Sequence, residues 1–466
     1  MLCKSLRRAV LRAPALALVL TAAGCSLPPA GTPPTRAEAA APALPPARRF
    51  APALPAPPAR SNADIARDFL DLHFRLEGGT ALPVFTRFEG PVTVRVTGAP
   101  PAGMLADLDA LLVRLRSEAG ISISRVRSSD AQITIEAVPR AAIRRALPNA
   151  ACFVVPNAAS LRDYRRSRHS SRTSWAALRR RDKLAVFIPN DTSPQEMRDC
   201  LHEELAQALA PLNDLYRLPD SIFNDDNAHV VLTGFDMLVL RAAYAPELAT
   251  GMTRGEVAAR LPAVLARLNP AGESIAPAPL PGTPAGWAQA IETALVPGTS
   301  RAARLQAANR AAAMARDLGW QDHRRAFAHY TLGQLLLGRD PQAAQGHFRT
   351  ALRYLANRPG AGPQQARIHA RLAALELTAR NPEAALALTA PAARQARAAQ
   401  NAALLATLQL QEADALALTG RSAEARAVRL DSLGWARYGF GPEWAERAMQ
   451  HDLAALGPGT TQAKTR

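Results

Sequence analysis

The sequence predicts two folded parts, an α+β domain followed by an all-α repeat array. Three observations predict this. Between residues 61 and 269, short runs of alternating apolar residues take turns with apolar residues at helical spacing. Between 287 and 456 only the helical spacing persists, Ala and Leu dominate, and leucines recur every 41 residues. Proline-rich stretches at 25–60 and 270–286 interrupt regular structure on either side of the first part.

The chain opens with Lys4, Arg7, Arg8 and Arg12, then an apolar run from Ala13 to Ala23 that is too short to span a bilayer. Ala22, Ala23 and Gly24 lead into Cys25, so residues 1–24 read as a signal peptide. A cysteine directly after small residues resembles the lipobox of bacterial lipoproteins, with Ala22 where leucine is usual. That resemblance implies lipidation of Cys25, and Ser26 after it implies an outer-membrane lipoprotein facing the periplasm; the alternative is an ordinary cleaved signal peptide. With Cys3 removed and Cys25 acylated, only Cys152 and Cys200 remain, and two thiols in an oxidising compartment are expected to pair. Residues 25–60 then form a tether. Eleven prolines among alanines bury no core and favour extended backbone.

The formal charge of +17 is spread widely, with its densest run from Arg162 to Lys183. Such a surface suits anionic partners such as lipid headgroups. The run itself reads as a solvated loop between two strands, with an anion clamp as the other reading. Nucleic acid is not expected as a partner, and no second apolar run has the length of a membrane span.

Within 61–269 a helix is expected from Ala63 to Leu76, a strand through Val92, Val94 and Val96, and a helix through Leu105 to Leu115. Strands follow at Ile121–Ser124, Ile133–Ile135, Cys152–Val155 and Leu184–Ile188. The next helix starts at Ser193, with Pro194 at its first position and Glu196 completing a capping box, and runs to Leu209 ahead of Pro211.

That helix carries the informative motif. Glu203 and Gln207, four apart, share a face, Glu204 sits beside them, and Asn213 can fold back past the Ala210-Pro211 break. The layout resembles the zinc motif of metzincin proteases, two helix histidines and a third beyond a glycine turn with a glutamate between. In that register Glu203, Gln207 and Asn213 stand at the three zinc ligands, Glu204 at the catalytic glutamate and Ala210 at the glycine. Ser221-Ile222-Phe223 lies where a Met-turn is expected. Leu232 to Asp236, continuing to Tyr244, resembles the closing helix of matrixins. The same residues, Glu203 to Gln207 and Ser221 to Asn227, also resemble an uncharacterised bacterial domain family. The resemblance implies a zincin-like domain in which the strand carrying Cys152 packs beneath the helix carrying Cys200.

The departures point away from zinc. All three ligand positions lack imidazole, and neutral amides bind Zn²⁺ weakly. Ala210 replaces a glycine whose backbone an alanine resists. No cofactor is therefore expected, although Glu203, Glu204, Asp214, Asp225 and Asp226 leave a divalent metal open. His202 reads as a partly exposed helix residue off the ligand face, and Asn224 to Asn227 as a loop that satisfies its own backbone.

From 287 to 456, Leu295, Leu336, Leu377 and Leu418 keep the interval of 41, as do the capping residues Thr299, Asp340, Asn381 and Ser422. Each is followed three residues later by Ala302, Ala343, Ala384 or Ala425, small enough for helices to approach closely. Each unit reads as helix, turn, capped helix. The array resembles tetratricopeptide repeats with a longer period, and the alternative is an irregular bundle. Residues 457–466 form a polar tail. The expected function is an interaction or scaffold lipoprotein, binding envelope proteins or peptides through the repeats and the membrane through its anchor. The runner-up is a metal-dependent, peptidase-like hydrolase with Glu204 as base.

Overall fold

The structure, a computed structural model, describes residues 45–51, 55–296, 298–444 and 447. The expected signal segment, the expected lipidation position Cys25, the first part of the expected tether and the expected tail lie outside the described residues.

The first helix, α1 (Asn62–Phe74), starts where the Ser61 hydroxyl accepts from the Asp64 N–H. Then come β1 (Val92–Gly98), α2 (Met104–Ser117), β2 (Ile123–Arg125), β3 (Ile133–Val138), α3 (Arg140–Ala146), β4 (Phe153–Pro156), α4 (Leu161–Ser167), β5 (Leu184–Pro189), α5 (Pro194–Leu209), α6 (Gly234–Ala243) and α7 (Arg254–Leu268). The strands form one mixed sheet in the order β2-β1-β3-β5-β4, parallel except for β4, which runs antiparallel to β5 at an edge. Val94 registers with Ile133 and Ile135 with Val186. Strand alternation sends Val92, Val94, Ile133, Ile135, Leu184, Val186 and Ile188 into a core with Leu108, Leu112, Leu201 and Leu205 of α2 and α5. Ala185, Phe187, Phe153 and Val155 enter a second core, with Ile143 of α3 and Leu161 of α4. Strand β5 is buried on both faces, which is why its sequence is a continuous apolar run.

Helix α7, whose 15 residues are enough to show a period, has no counterpart in the sequence reading. Nor do the helices α3 and α4. Each has seven residues, two turns, too few to establish a period. α4 also corrects the solvated-loop reading of the basic run, whose start it occupies.

The rest of the chain is helical: α8 (Ala285–Leu295), α9 (Arg301–Asp317), α10 (His323–Leu336), α11 (Pro341–Leu355), α12 (Gly362–Thr378), α13 (Pro382–Ala398), α14 (Ala402–Leu418) and α15 (Ser422–Gly439). They pair as consecutive hairpins, each packed on the next. The four leucines of period 41 fall at or next to the last residues of α8, α10, α12 and α14. The capping expectation holds less well. Asp340 caps α11 by accepting from Ala343 N–H at 2.9 Å. Ser300, not Thr299, caps α9. Asn381 turns its amide to Glu376 instead, and Ser422 is already inside α15. The small-residue positions also slip. Ala302 and Ala384 are exposed, whereas Ala344 and Ala385, one residue later than expected, are fully buried. Where α10 and α11 approach, a Cβ on Gly333 would stand 2.5 Å from the Phe348 ring, so glycine is what lets the ring in.

Among the described residues no helix is long and apolar enough to cross a membrane. Part of the expected tether lies against the body. Phe50 stacks on Trp435 with ring centroids 4.4 Å apart, Arg48 pairs with Asp431, and Arg60 pairs with Asp68 and Asp220.

Candidate functional site

Helix α5 is held at both ends. At its start the Ser193 hydroxyl accepts from Glu196 N–H at 3.2 Å, but the expected capping box is only half made. The Glu196 carboxylate goes instead to Thr192 and Arg140. At its end Arg181 donates to the carbonyls of Gln207, Ala208 and Ala210 at 2.6, 2.7 and 2.6 Å, and Tyr244 donates to that of Leu209 at 3.1 Å. Four carbonyls that a helix end leaves open are thus satisfied, and a cation sits at the negative end of the helix dipole. Burial lowers Arg181 to about 10. Ala210 itself has φ −156° and ψ −68°, outside the left-handed region that favours glycine, so the expected cost of a positive φ there does not arise. Cys152, just ahead of β4, is disulfide-bonded to Cys200 in the middle of α5, with Cα atoms 6.0 Å apart.

Beyond Pro211 the chain folds back on α1. Leu212 N–H donates to the Leu72 carbonyl at 2.8 Å and the Asn213 amide to that of Asp71 at 3.0 Å. Arg217 donates to Asp68 and Asp71 at 2.7 and 2.8 Å. The following Ser221-Ile222-Phe223 segment is organised by Asp236 of α6, fully buried. Ser221 hydroxyl and Ile222 N–H donate to its two oxygens at 2.5 and 3.1 Å, and Thr233 shares it in a capping box. As expected, Asn224 and Asp226 serve their own backbone, accepting from Asp226 N–H and Ala228 N–H at 3.1 and 2.8 Å.

The motif residues meet this framework differently from one another. Gln207 is buried and its amide donates to Asp214 at 3.3 Å, while the Asn213 amide is committed to α1. Glu203 is half-buried; Glu204 is buried, and its Oε2 has no hydrogen-bond partner. Burial, then the charges of Glu77, Asp225 and Asp236, raises Glu203 to about 8. Burial with Glu203 and Glu77 raises Glu204 well above the carboxylate range, and burial with Glu203, Glu77 and Asp225 does the same to Asp214. Asp225 rises to about 7 through burial, Glu77, Glu292 and Asp226. The result is a carboxylate cluster that carries protons near neutral pH. No ion pair among the described residues joins it to a cation in the way that Arg217 joins Asp68. Among the described residues no three His, Cys, Asp or Glu side chains converge closely enough to hold a metal ion. His202 is not partly exposed as expected. It is buried, burial lowers its pKa far below the usual histidine range, and its Nδ1 accepts from Leu232 N–H at 3.2 Å.

Glu77 and Glu292 were not legible as members of this cluster. Glu77 sits in a turn 126 positions before Glu203, and Glu292 belongs to the helical region. Arg181 was hidden inside a basic run, and nothing local distinguishes it from its exposed neighbours.

The helical region docks on the loop after α5 with the N-terminal ends of its hairpins. Trp287 of α8 packs edge-on to Tyr216 with centroids 5.1 Å apart, and His323 of α10 donates to the Tyr216 carbonyl at 2.6 Å. Gln364 of α12 donates to Pro219 and Asp226, and Arg367 to the Asp226 and Asn227 carbonyls. Further along, Asn401 and Ala403 of α14 bond the Gln195 side chain. Gly360, at φ +79° and with its absent Cβ only 2.6 Å from Asp220, makes the close approach between the two parts.

Residues 62–263 match the model of a family described as "Protein of unknown function (DUF2927)". The match runs from the first residue of α1 into α7, so the chain carries this uncharacterised domain followed by a helical region. No curated protein matches the chain.

Proposed function

We propose that this chain is an envelope lipoprotein that acts as an interaction scaffold. Its α/β domain is a zincin-like fold without zinc catalysis, and its tetratricopeptide-like array presents a binding edge to envelope proteins or peptides. One observation carries the reading. The hairpins dock on the α/β domain by one set of ends, and the period-41 leucines lie at the other, with Leu295 and Leu418 more than two-fifths exposed and Leu336 and Leu377 half-buried. A repeated apolar residue along the free edge of a stacked array suits a partner better than it suits water. The metzincin resemblance is supported by the order of mixed sheet, motif helix, fold-back loop and capped closing helix. Loss of zinc chemistry is supported by the Gln207 and Asn213 amides, both committed to internal hydrogen bonds. The test is crosslinking in the envelope with full-length protein. Partners captured by the wild type should be lost in Leu295→Glu/Leu418→Glu and kept in Glu204→Gln. Equal capture by all three would sink the reading.

A second reading has its own observation. A buried glutamate with an unpartnered oxygen and a raised pKa is what a general acid needs, and Glu204 is one. Stoichiometric metal in purified protein, together with peptide hydrolysis abolished by Glu204→Gln, would put this hydrolase reading in first place.

A further inference from the structure

We propose that the arginine-rich face of α3 and α4 is a docking surface for an anionic lipid bilayer. Helix α3 carries Arg144 and Arg145, and α4 carries Arg162, Arg165 and Arg166, all exposed. The two helices form one plate. Ile143, Ala146 and Leu161 share the core beneath them, and Arg168 donates to the Ala146 carbonyl at 3.3 Å. Nearby acids are already engaged. Asp163 pairs with Arg172, Asp182 with Arg180 and Glu196 with Arg140. Glu136 accepts from the Leu161 N–H at 2.6 Å. Among the described residues, none of the five plate arginines forms an ion pair with a carboxylate, although Arg166 is near enough to Asp163 to help lower its pKa. Three of them, Arg162, Arg165 and Arg166, line an open groove of about 480 Å³ beside Glu136, Val138 and Leu161.

Five guanidinium groups without ion pairs of their own on two seven-residue helices outweigh the nearby Asp163 and Glu136 and repel one another, and a phosphate-bearing surface relieves that repulsion with paired N–H donors. The N-terminal segment is seated on the body near α5. Phe50 lies under the Arg198 guanidinium of α5, and Gln400 donates to the Ala51 carbonyl at 2.8 Å. Arg140, the first residue of α3, pairs with Glu196 at that same N-terminal end of α5. The segment leading back to the start of the chain thus meets the body at α5 and, where Arg49 pairs with Asp107, at α2, which pack on the other face of the sheet from α3 and α4. The choice of a bilayer over other polyanions rests on the reading of the chain as an anchored lipoprotein.

The experiment compares full-length wild type with an Arg144→Ser/Arg145→Ser/Arg162→Ser/Arg165→Ser/Arg166→Ser variant on vesicles. One set is phosphatidylcholine alone, the other about one-third phosphatidylglycerol. Each basic residue near such a surface strengthens binding roughly fivefold, so the wild type should prefer the anionic vesicles by about 100-fold or more and lose this preference in about 0.5 M salt. The variant should bind both vesicles alike, at the wild type's phosphatidylcholine level. Arg165→Ser/Arg166→Ser alone should lose about 25-fold, which keeps the test decisive if the variant with all five substitutions misfolds, and lysine at all five positions should retain the preference. A variant that keeps the preference, or a wild type that lacks it, overturns the proposal. So does a wild type that takes up double-stranded DNA in preference to anionic vesicles. Absence of fatty-acid labelling at Cys25 defeats the anchored reading alone, and the phosphatidylglycerol preference then still decides the docking surface.

Discussion

Glu203, half-buried, and Glu204, buried, are neighbours in sequence and face the same difficulty, a carboxyl group drawn away from water with further carboxyls around it. Each resolves it by keeping its proton. Glu203 has an unfolded value of 4.5 and a folded value of about 8, so between these two pH values the folded chain holds a proton that the unfolded chain has released. Stability from this group is therefore fully present below about pH 4.5 and is lost as pH rises through about 8. Unfolding followed by denaturant titration at several pH values should show this decline, and Glu203→Gln should flatten it, with a difference of roughly 1–3 kcal/mol near pH 8. Parallel pH profiles for the two proteins would mean that Glu203 is solvated and ionised in the folded chain.

Helix α5 shows how one element can be positioned by residues that its own sequence does not contain. Its start follows local rules, Ser193 then Pro194. Its end depends on Arg181, delivered by the segment before β5, and on Tyr244 of α6. Its middle is pinned by Cys200 to Cys152 across 48 positions. Cross-linking a loop of that size restricts the unfolded chain by roughly 3–4 kcal/mol, less any strain. Reduction, or Cys152→Ser with Cys200→Ser, should lower the unfolding free energy by about that amount. The added hydrogen exchange should concentrate in β4 and α5. An unchanged denaturation midpoint after complete reduction would show that the bridge contributes nothing.

The described residues belong to one compact unit, and the loop after α5 lies at its centre. That loop is bound on one side by α1, through Asp68, Asp71 and Arg217, and on the other by α8, α10 and α12. The helical region is thus part of the site's wall, and Glu292 of α8 adds its charge to the carboxylate cluster. Removing Gln364 and Arg367 together, as Gln364→Leu/Arg367→Ala, should cost roughly 1–3 kcal/mol. It should also speed amide exchange between residues 216 and 228 while leaving exchange in β1 and β3 unaltered. Exchange unchanged in that loop would show that the two parts only touch.

The sequence by itself determined most of the secondary elements long enough to show a period, with α7 missed. These are α1, α2, the strands, the start and end of α5, and helix ends spaced by 41 residues. Burial of one face of a helix or strand imposes that pattern directly on the chain. It also determined the pairing of Cys152 with Cys200, because the count of cysteines left few choices. It did not reveal α3 and α4, whose two turns carry too little pattern, or the half-made capping box, because Arg140 from 56 positions away takes the Glu196 carboxylate. Nor did it reveal which arginine of a basic run would be buried or which leucines would stay exposed. Ala210 expresses the same limit. Its cost was inferred from a glycine in another backbone, and this chain leaves α5 through a residue of negative φ instead. Tertiary structure decided these points because charge pairing, helix-end capping and exposure depend on which distant groups arrive. A local pattern records only what the residue itself must do.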